Sequence, residues 1–249
     1  MNYMSDYQIV TGGDIVLHHQ ENSLKYSPQI EEKISQIWES ELKKNPNIFN
    51  DKVLSFLKIS EKNNQKIIKV TYVDYKTILA DRKDSRLSLN VNPIGVSGIT
   101  ILKEKTQVLF SQRAFTITEY LGYFELVPSG HLDTSVLEDD GTINFKSKII
   151  SEFEEETGLS KKSINNLKTL CLVKDNINRV YDVCCLLEID TNEGQLESSF
   201  NKVSEYEKPI FVPVSALREF SNNNSDKLVP TSKAIIDYYL KNKIFRKDN

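Results

Sequence analysis

Four glutamates crowd positions 152 to 156 in the stretch Ser-Glu-Phe-Glu-Glu-Glu-Thr-Gly-Leu, residues 151–159. On a helix over 145–157, Glu152, Glu155 and Glu156 fall at i, i+3 and i+4 and share a face, while Glu154 points elsewhere. Ile149, Ile150 and Phe153 form a neighbouring apolar face that can dock on a core. Like charges at this spacing repel by roughly 0.2–0.5 kcal/mol per pair, and no lysine or arginine lies within the stretch to offset them. A divalent cation would. Hard ions such as Mg²⁺ take carboxylate oxygens and keep water and substrate phosphates in their other positions. Gly158 supplies a left-handed stop where the carboxylates end. The alternative reading of the run by itself is a solvated acidic helix face, since glutamate is a favoured surface helix residue.

Other residues can serve chemistry around such a site. Arg113 closes a strand-like run, Leu-Phe-Ser-Gln-Arg, and is a candidate to grip a phosphate. Its alternative is an exposed loop arginine. His131 follows Gly130 in a glycine turn, where it can contact a sugar or phosphate or simply bond the turn. Tyr120, Tyr123 and Phe124 offer rings for stacking on a base, or for the core. Glu205 and Glu207 precede a strand and are candidates for a general base, or for a charged loop edge. Cys171, Cys184 and Cys185 are odd in number, lack a Cys-x-x-Cys spacing and read as reduced core thiols in strands.

Composition narrows the function class. The 249 residues carry a formal net charge of -3, with 39% hydrophobic and 27% charged side chains, which is ordinary for a folded globular protein. That charge offers no general attraction to nucleic acid or to an anionic membrane, so a polyanionic ligand needs a local device. No apolar run approaches a membrane span and the N-terminus has no basic-then-apolar leader, so the chain is read as non-secreted and cytoplasmic.

The elements that must position these residues come next. Residues 1–90 read as a small α+β extension. Its helix begins with Ser27 as N-cap and Pro28 at the first helical position, and buries a stripe of Ile30, Ile34, Trp38 and Leu42. Runs around 53–59 and 66–73 read as strands. Residues 91–249 then give strand candidates at 96–102, 106–113, 122–130, 167–174 and 179–189. The acidic helix falls between them, with a strand-to-helix segment at 208–220 and a closing helix over 231–243. The expected fold is α/β, a mixed sheet between helical layers.

The pattern resembles the Nudix hydrolase box, G-x5-E-x7-R-E-U-x-E-E-x-G-U with U apolar. Glu152, Phe153, Glu155, Glu156, Gly158 and Leu159 match its distal part, and Gly130 in Glu-Leu-Val-Pro-Ser-Gly-His resembles its opening glycine. Two features depart from it. Ser151 stands where the family has arginine, which braces a box glutamate. Gly130 precedes Ser151 by 21 positions where the pattern has 14, an insertion of about seven residues that leaves Glu138, Asp139 and Asp140 all as candidates for the first box acid. Segments across nearly the whole chain are similar to the Nudix hydrolases that split UDP-glucose and UDP-galactose, including the N-terminal extension and elongated box.

The resemblance implies a Nudix α/β/α sandwich in which Glu152, Glu155 and Glu156, with the Gly130 carbonyl, hold Mg²⁺ or Mn²⁺. It also implies hydrolysis of a small nucleotide-sugar, with a mobile acid such as Glu205 assisting. Hydrolysis of another diphosphate such as ADP-ribose is the first alternative. A Nudix-fold nucleotide-binding module without catalysis is the second, which the serine at 151 allows.

Overall fold

The structure is a computed structural model and describes residues 5–21, 24–102, 106–115, 119–200 and 205–242. Its N-terminal part runs through β1 (Tyr7–Gly12), β2 (Ile15–His19), α1 (Pro28–Lys44), β3 (Lys52–Lys62), β4 (Gln65–Asp74) and α2 (Tyr75–Lys83). There follow β5 (Ile94–Leu102), β6 (Gln107–Arg113), β7 (Phe124–Leu126), β8 (Ser129–His131), β9 (Thr142–Ile143) and α3 (Phe145–Thr157). The chain continues with β10 (Ile164–Asp175), β11 (Val180–Ile189), α4 (Glu193–Phe200), β12 (Tyr206–Pro213), α5 (Leu217–Asn223) and α6 (Pro230–Asn242).

These elements make a mixed α/β protein with two mixed sheets. The larger has the order β1-β10-β11-β5-β6-β12, with β7 on β6 and β8 on β5. Among the described residues only strands β11 and β5 run parallel in it. The smaller has the order β3-β4-β2-β9, with β2 and β4 parallel. In the larger sheet the pleat sends Ile94 and Val96 to one side and Ile99 and Ile101 to the other. The first side packs on Ile149 and Phe153 of α3, Leu196 and Phe200 of α4, and Leu17, Leu54 and Ile68 of the smaller sheet. The second packs on Leu217 of α5 and Ala234, Ile235 and Tyr239 of α6. Helices therefore cover both faces.

The β5 and β6 strands pair only at Ile101–Val108 and Leu102–Gln107. Beyond that point β8 pairs with β5 and β7 with β6, so the bent segment 124–131 occupies the gap between them. This gap is where α3 sits across β8 and β5. The helix starts at Asn144, whose side chain accepts from the Ser147 amide at 3.0 Å. It stops at Gly158, with φ 69° and its amide on the Glu154 carbonyl at 3.0 Å.

Strand pairing crosses the division at residue 90 twice. β1 pairs with β10 in the larger sheet, and β9, from the insertion after Gly130, pairs with β2 in the smaller. The segment between Gly130 and α3 thus forms the edge strand that ties this part of the chain to the N-terminal segment. Of the expected stripe on the 28–44 helix, Ile34 is buried and Ile30 packs beside it, joined by Ile37, whereas Trp38 and Leu42 are half-buried and Trp38 stands edge-on to Tyr75 of α2 at 6.4 Å. Ser27 caps it through its backbone: its carbonyl accepts from Ile30 and Glu31, and its hydroxyl takes no part. The three cysteines are free and buried in β10 and β11, as their apolar neighbours require. Among the described residues no helix is long and apolar enough to cross a membrane.

Candidate functional site

Glu152 lies against the backbone of Gly130. A Cβ at position 130 would stand 2.2 Å from Glu152 Oε1 and 2.6 Å from its Cγ, so only glycine admits this approach. The Gly130 carbonyl oxygen lies over β5, 2.5 Å from where a Gly95 Cβ would stand. The other side of the Glu152 carboxylate meets a cation: Lys148 Nζ is 2.8 Å from Oε1 and also 3.2 Å from Asp133 Oδ2. The lysine sits one turn before the acidic stretch, so the carboxylate patch does have a cationic neighbour. Burial disfavours the Lys148 ammonium, but Glu152 and Asp133 outweigh it and hold its pKa above the usual lysine value.

The three carboxylates take three different environments. Glu155 is exposed and accepts from Ser151 Oγ at 2.8 Å, so the serine at the arginine position contacts a glutamate directly. Glu156 turns inward, 3% exposed, and accepts the Ser129 amide at 3.0 Å. Burial, reinforced by Glu125 and Glu152, holds the Glu156 carboxyl well above the usual carboxylate range. Burial also raises Glu152, with Lys148 opposing. Among the described residues, no three carboxylate, imidazole or thiol groups already converge as a metal cage. Of the three glutamates expected to hold metal, Glu156 points inward and is engaged by the Ser129 amide of β8.

Behind Glu156 runs a continuous polar chain. Tyr206 Oη is 3.3 Å from Glu156 Oε1 and donates to Glu125 Oε2 at 3.0 Å. Glu125 is ion-paired with Arg113, whose Nε donates to the Glu119 carbonyl at 3.1 Å. The Glu119 carboxylate in turn pairs with Arg82 from α2. Arg113, expected to grip phosphate, is thus bound to Glu125 in this structure. Tyr206 is buried between two carboxylates, and burial followed by those charges pushes its hydroxyl well above the usual tyrosine range.

The remaining candidates lie around this centre. His131 is exposed on β8. Crowding by protein and then the Arg82 charge, with Lys148 and Arg113 acting the same way, lower its pKa, so the imidazole is biased toward neutrality. Glu205 is exposed at the start of β12, where its carbonyl accepts the Ala114 amide at 2.9 Å, and its charge is felt at both Glu152 and Glu156. Tyr123 is half-buried, 5.3 Å from Tyr120, whose hydroxyl bonds Asp175 at 2.6 Å. Phe124 packs into the α5–α6 core. Glu138, Asp139 and Asp140 line a separate groove of about 540 Å³ with Asp14 and Lys146, away from α3's carboxylates. Glu138 and Asp140 there hold the turn into β9 through Asn144 and the Thr142 amide.

Lys148, on the turn before the glutamates, is readable as a brace from its i,i+4 spacing to Glu152. Sequence reasoning missed Asp133, Glu125 and Tyr206, which only the fold brings together. The N-terminal segment also reaches the site: the Leu54 amide donates to the Leu132 carbonyl at 3.0 Å, and Tyr72 Oη to the Asp133 carbonyl at 3.3 Å.

The Glu152 carboxylate is pinned over a glycine and already shares a cation, the Lys148 ammonium, with Asp133. Glu155 stands exposed at the surface one turn on, with Ser151 Oγ donating to it. Because Mg²⁺ commonly uses one or two carboxylates and fills its shell with water and phosphate, this donor set fits it.

No protein-family model matches the sequence, and no curated protein matches it. Solved structures similar to the chain include the NUDIX domain of NrtR from Shewanella oneidensis complexed with ADP ribose. It is 14% identical over 64% of this chain and 93% of that one, with a TM-score of 0.45. A bifunctional NMN adenylyltransferase/ADP ribose pyrophosphatase from Francisella tularensis, complexed with AMP and a Mn ion, is 16% identical. It covers 68% of this chain and 47% of that one, with a TM-score of 0.45. A MutT protein from Methanosarcina mazei Go1 is 16% identical over 62% of this chain and 95% of that one, with a TM-score of 0.42.

Proposed function

We propose that the chain is a Nudix-type hydrolase that splits the diphosphate bond of a nucleoside diphosphate derivative with the help of Mg²⁺ or Mn²⁺. The observation that carries this reading is Glu152, seated over Gly130 with a cation already on its carboxylate and Glu155 exposed beside it. The sequence resemblance supports it independently of the structural likenesses. A divalent ion held by Glu152 and Glu155 would neutralise diphosphate oxygens and acidify a water.

The chain's own residues supply the rest. Glu205 stands at the rim with an exposed carboxylate and can take a proton from the attacking water. The exposed, neutral-biased imidazole of His131 can hydrogen-bond a phosphate or sugar oxygen. Arg113 can orient phosphate if it shifts from Glu125, and Tyr123 offers a half-buried ring to a base. Glu156 holds the helix to β8 through the Ser129 amide and so fixes the register of Glu152 and Glu155.

The substrate we favour is a nucleotide-sugar, UDP-glucose or UDP-galactose, giving UMP and the sugar 1-phosphate. Tyr72 and Arg82 bring the N-terminal segment to the same end of the sheet, where a sugar or base needs a wall. Buried, unpaired cysteines fit a reducing, cytoplasmic setting, and the net charge of -3 fits a small-molecule substrate in place of nucleic acid.

The test is mass spectrometry of products after incubation with a mixed pool of nucleotide-sugars and ADP-ribose, with Mg²⁺ and with chelator. UMP and sugar 1-phosphate formed only with the ion is the expected outcome. Preferred cleavage of ADP-ribose would move the substrate class. Nucleotide binding by calorimetry with no phosphate-bond cleavage would make the chain a binding module.

A further inference from the structure

We infer that Lys148 is a built-in counter-ion that competes with the divalent cation for Glu152, so that metal entry releases its ammonium to bind the substrate's phosphate. The inference rests on the proposed metal-dependent reading and adds an order of events to it.

The geometry is specific. Lys148 Nζ occupies the outer side of Glu152 Oε1 at 2.8 Å, and Oε1 is the same atom that would meet a Cβ at Gly130. The carboxylate is therefore held between a backbone it cannot move into and an ammonium that can move away. Asp133 gives that ammonium a second partner at 3.2 Å, on the loop that follows β8. The pair is shielded, with side-chain exposures of 16% for Lys148 and 13% for Glu152, so it is stronger than a solvated i,i+4 pair.

An ion that takes Glu152 must replace this ammonium. The two cations need the same oxygen, and a lysine on a flexible four-carbon stem can yield where a rigid guanidinium fork would not. Once displaced, the ammonium remains tethered to α3 beside Asp133, on the loop that follows β8. It then sits within the site as a positive charge that has lost Glu152 and keeps only the more distant Asp133. A diphosphate is the ligand that such a charge, together with a metal ion, recognises. The serine at 151 leaves room for this arrangement: it bonds Glu155, so Glu152 is braced only by a partner that can leave.

Calorimetric titration of Mg²⁺ alone into wild type and into Lys148→Met, Lys148→Gln and Lys148→Arg tests the inference without using turnover. Removing the competitor should tighten the Mg²⁺ dissociation constant about tenfold in the Met and Gln variants, whereas Arg should leave it at or above the wild-type value. Substrate binding should move the opposite way, with KM raised about tenfold in Met and Gln. The Gln variant keeps the stem length and a polar tip, so it reports even if Met disturbs the helix. Mg²⁺ affinity unchanged or weakened in both Met and Gln would overturn the inference while leaving the metal-dependent reading standing. No Mg²⁺ binding by wild type or by any variant at millimolar ion would remove the metal-dependent reading itself, and the inference with it.

Discussion

Glu152 and Gly130 are in contact so close that no side chain fits between them: the carboxylate oxygen would lie 2.2 Å from a Cβ at 130. A helix residue and a strand residue 22 positions apart in the sequence are thereby locked at a fixed separation. Gly130→Ala should push the Glu152 carboxylate off the strand. Because the clash reaches back to Glu152 Cγ at 2.6 Å, the side chain must swing away as a whole, at a cost of about 1–3 kcal/mol, while metal-dependent hydrolysis falls by about a hundredfold. Melting curves and turnover measured side by side decide it; a variant with wild-type turnover would show that the contact has no part in the chemistry.

Tyr206 bridges two buried carboxylates with one hydroxyl. Tyr206→Phe removes a donor from Glu125 and a partner from Glu156 and fills the same volume. The loss should be about 1–3 kcal/mol of stability, measured by denaturant unfolding with an unchanged slope. Stability within error of wild type would mean that water replaces the hydroxyl.

The Asp182 carboxyl gives a pH dependence with a definite sign. It accepts from Thr231 Oγ1 at 2.9 Å beneath α6, and burial pushes its pKa from 3.8 up to about 7. The folded state therefore binds more protons than the unfolded chain between these values. Stability from this group is present below about pH 4 and is lost as pH rises to about 7. Asp182→Asn should escape that loss. The melting temperature of the variant relative to wild type should climb across this window and level off above it; parallel curves would refute the assignment.

Removing residues 1–90 should abolish folding. The cut takes away Ile15, Leu17, Leu54, Ile68 and Val70, all buried in the core shared with α3. At about 1.5–3 kcal/mol for each fully buried aliphatic side chain, the loss matches the whole stability of an ordinary domain. It also strips β1 from β10 and β2 from β9, exposing two strand edges. Insoluble or unfolded protein is expected, and a soluble truncation with unchanged kinetics would refute it.

Much of the site and fold is local and so was legible in the residues. The 3.6-residue period of Ile149, Phe153 and the three glutamates specifies a helix with one buried and one acidic face, and Gly158 specifies its end. Pro28 and the Ile30–Ile34 stripe do the same for α1, and alternating β-branched runs specify β5, β6, β10 and β11. Such patterns are readable because each element must present an apolar face regardless of its partner. What lay beyond the sequence are the pairings between distant segments. The two-residue β9 and the half-buried β1 carry too little periodicity to announce themselves, yet they decide that residues 1–90 share sheets with the remainder. The same holds at the site. Three glutamates equivalent on a helical wheel become a lysine-paired Glu152 against Gly130, an exposed Glu155 bonded to Ser151, and a buried Glu156 enclosed by the Ser129 amide and Tyr206. Helical spacing determines which carboxylates face the same way, but solvation and partners set their charge, and those are properties of the packed fold.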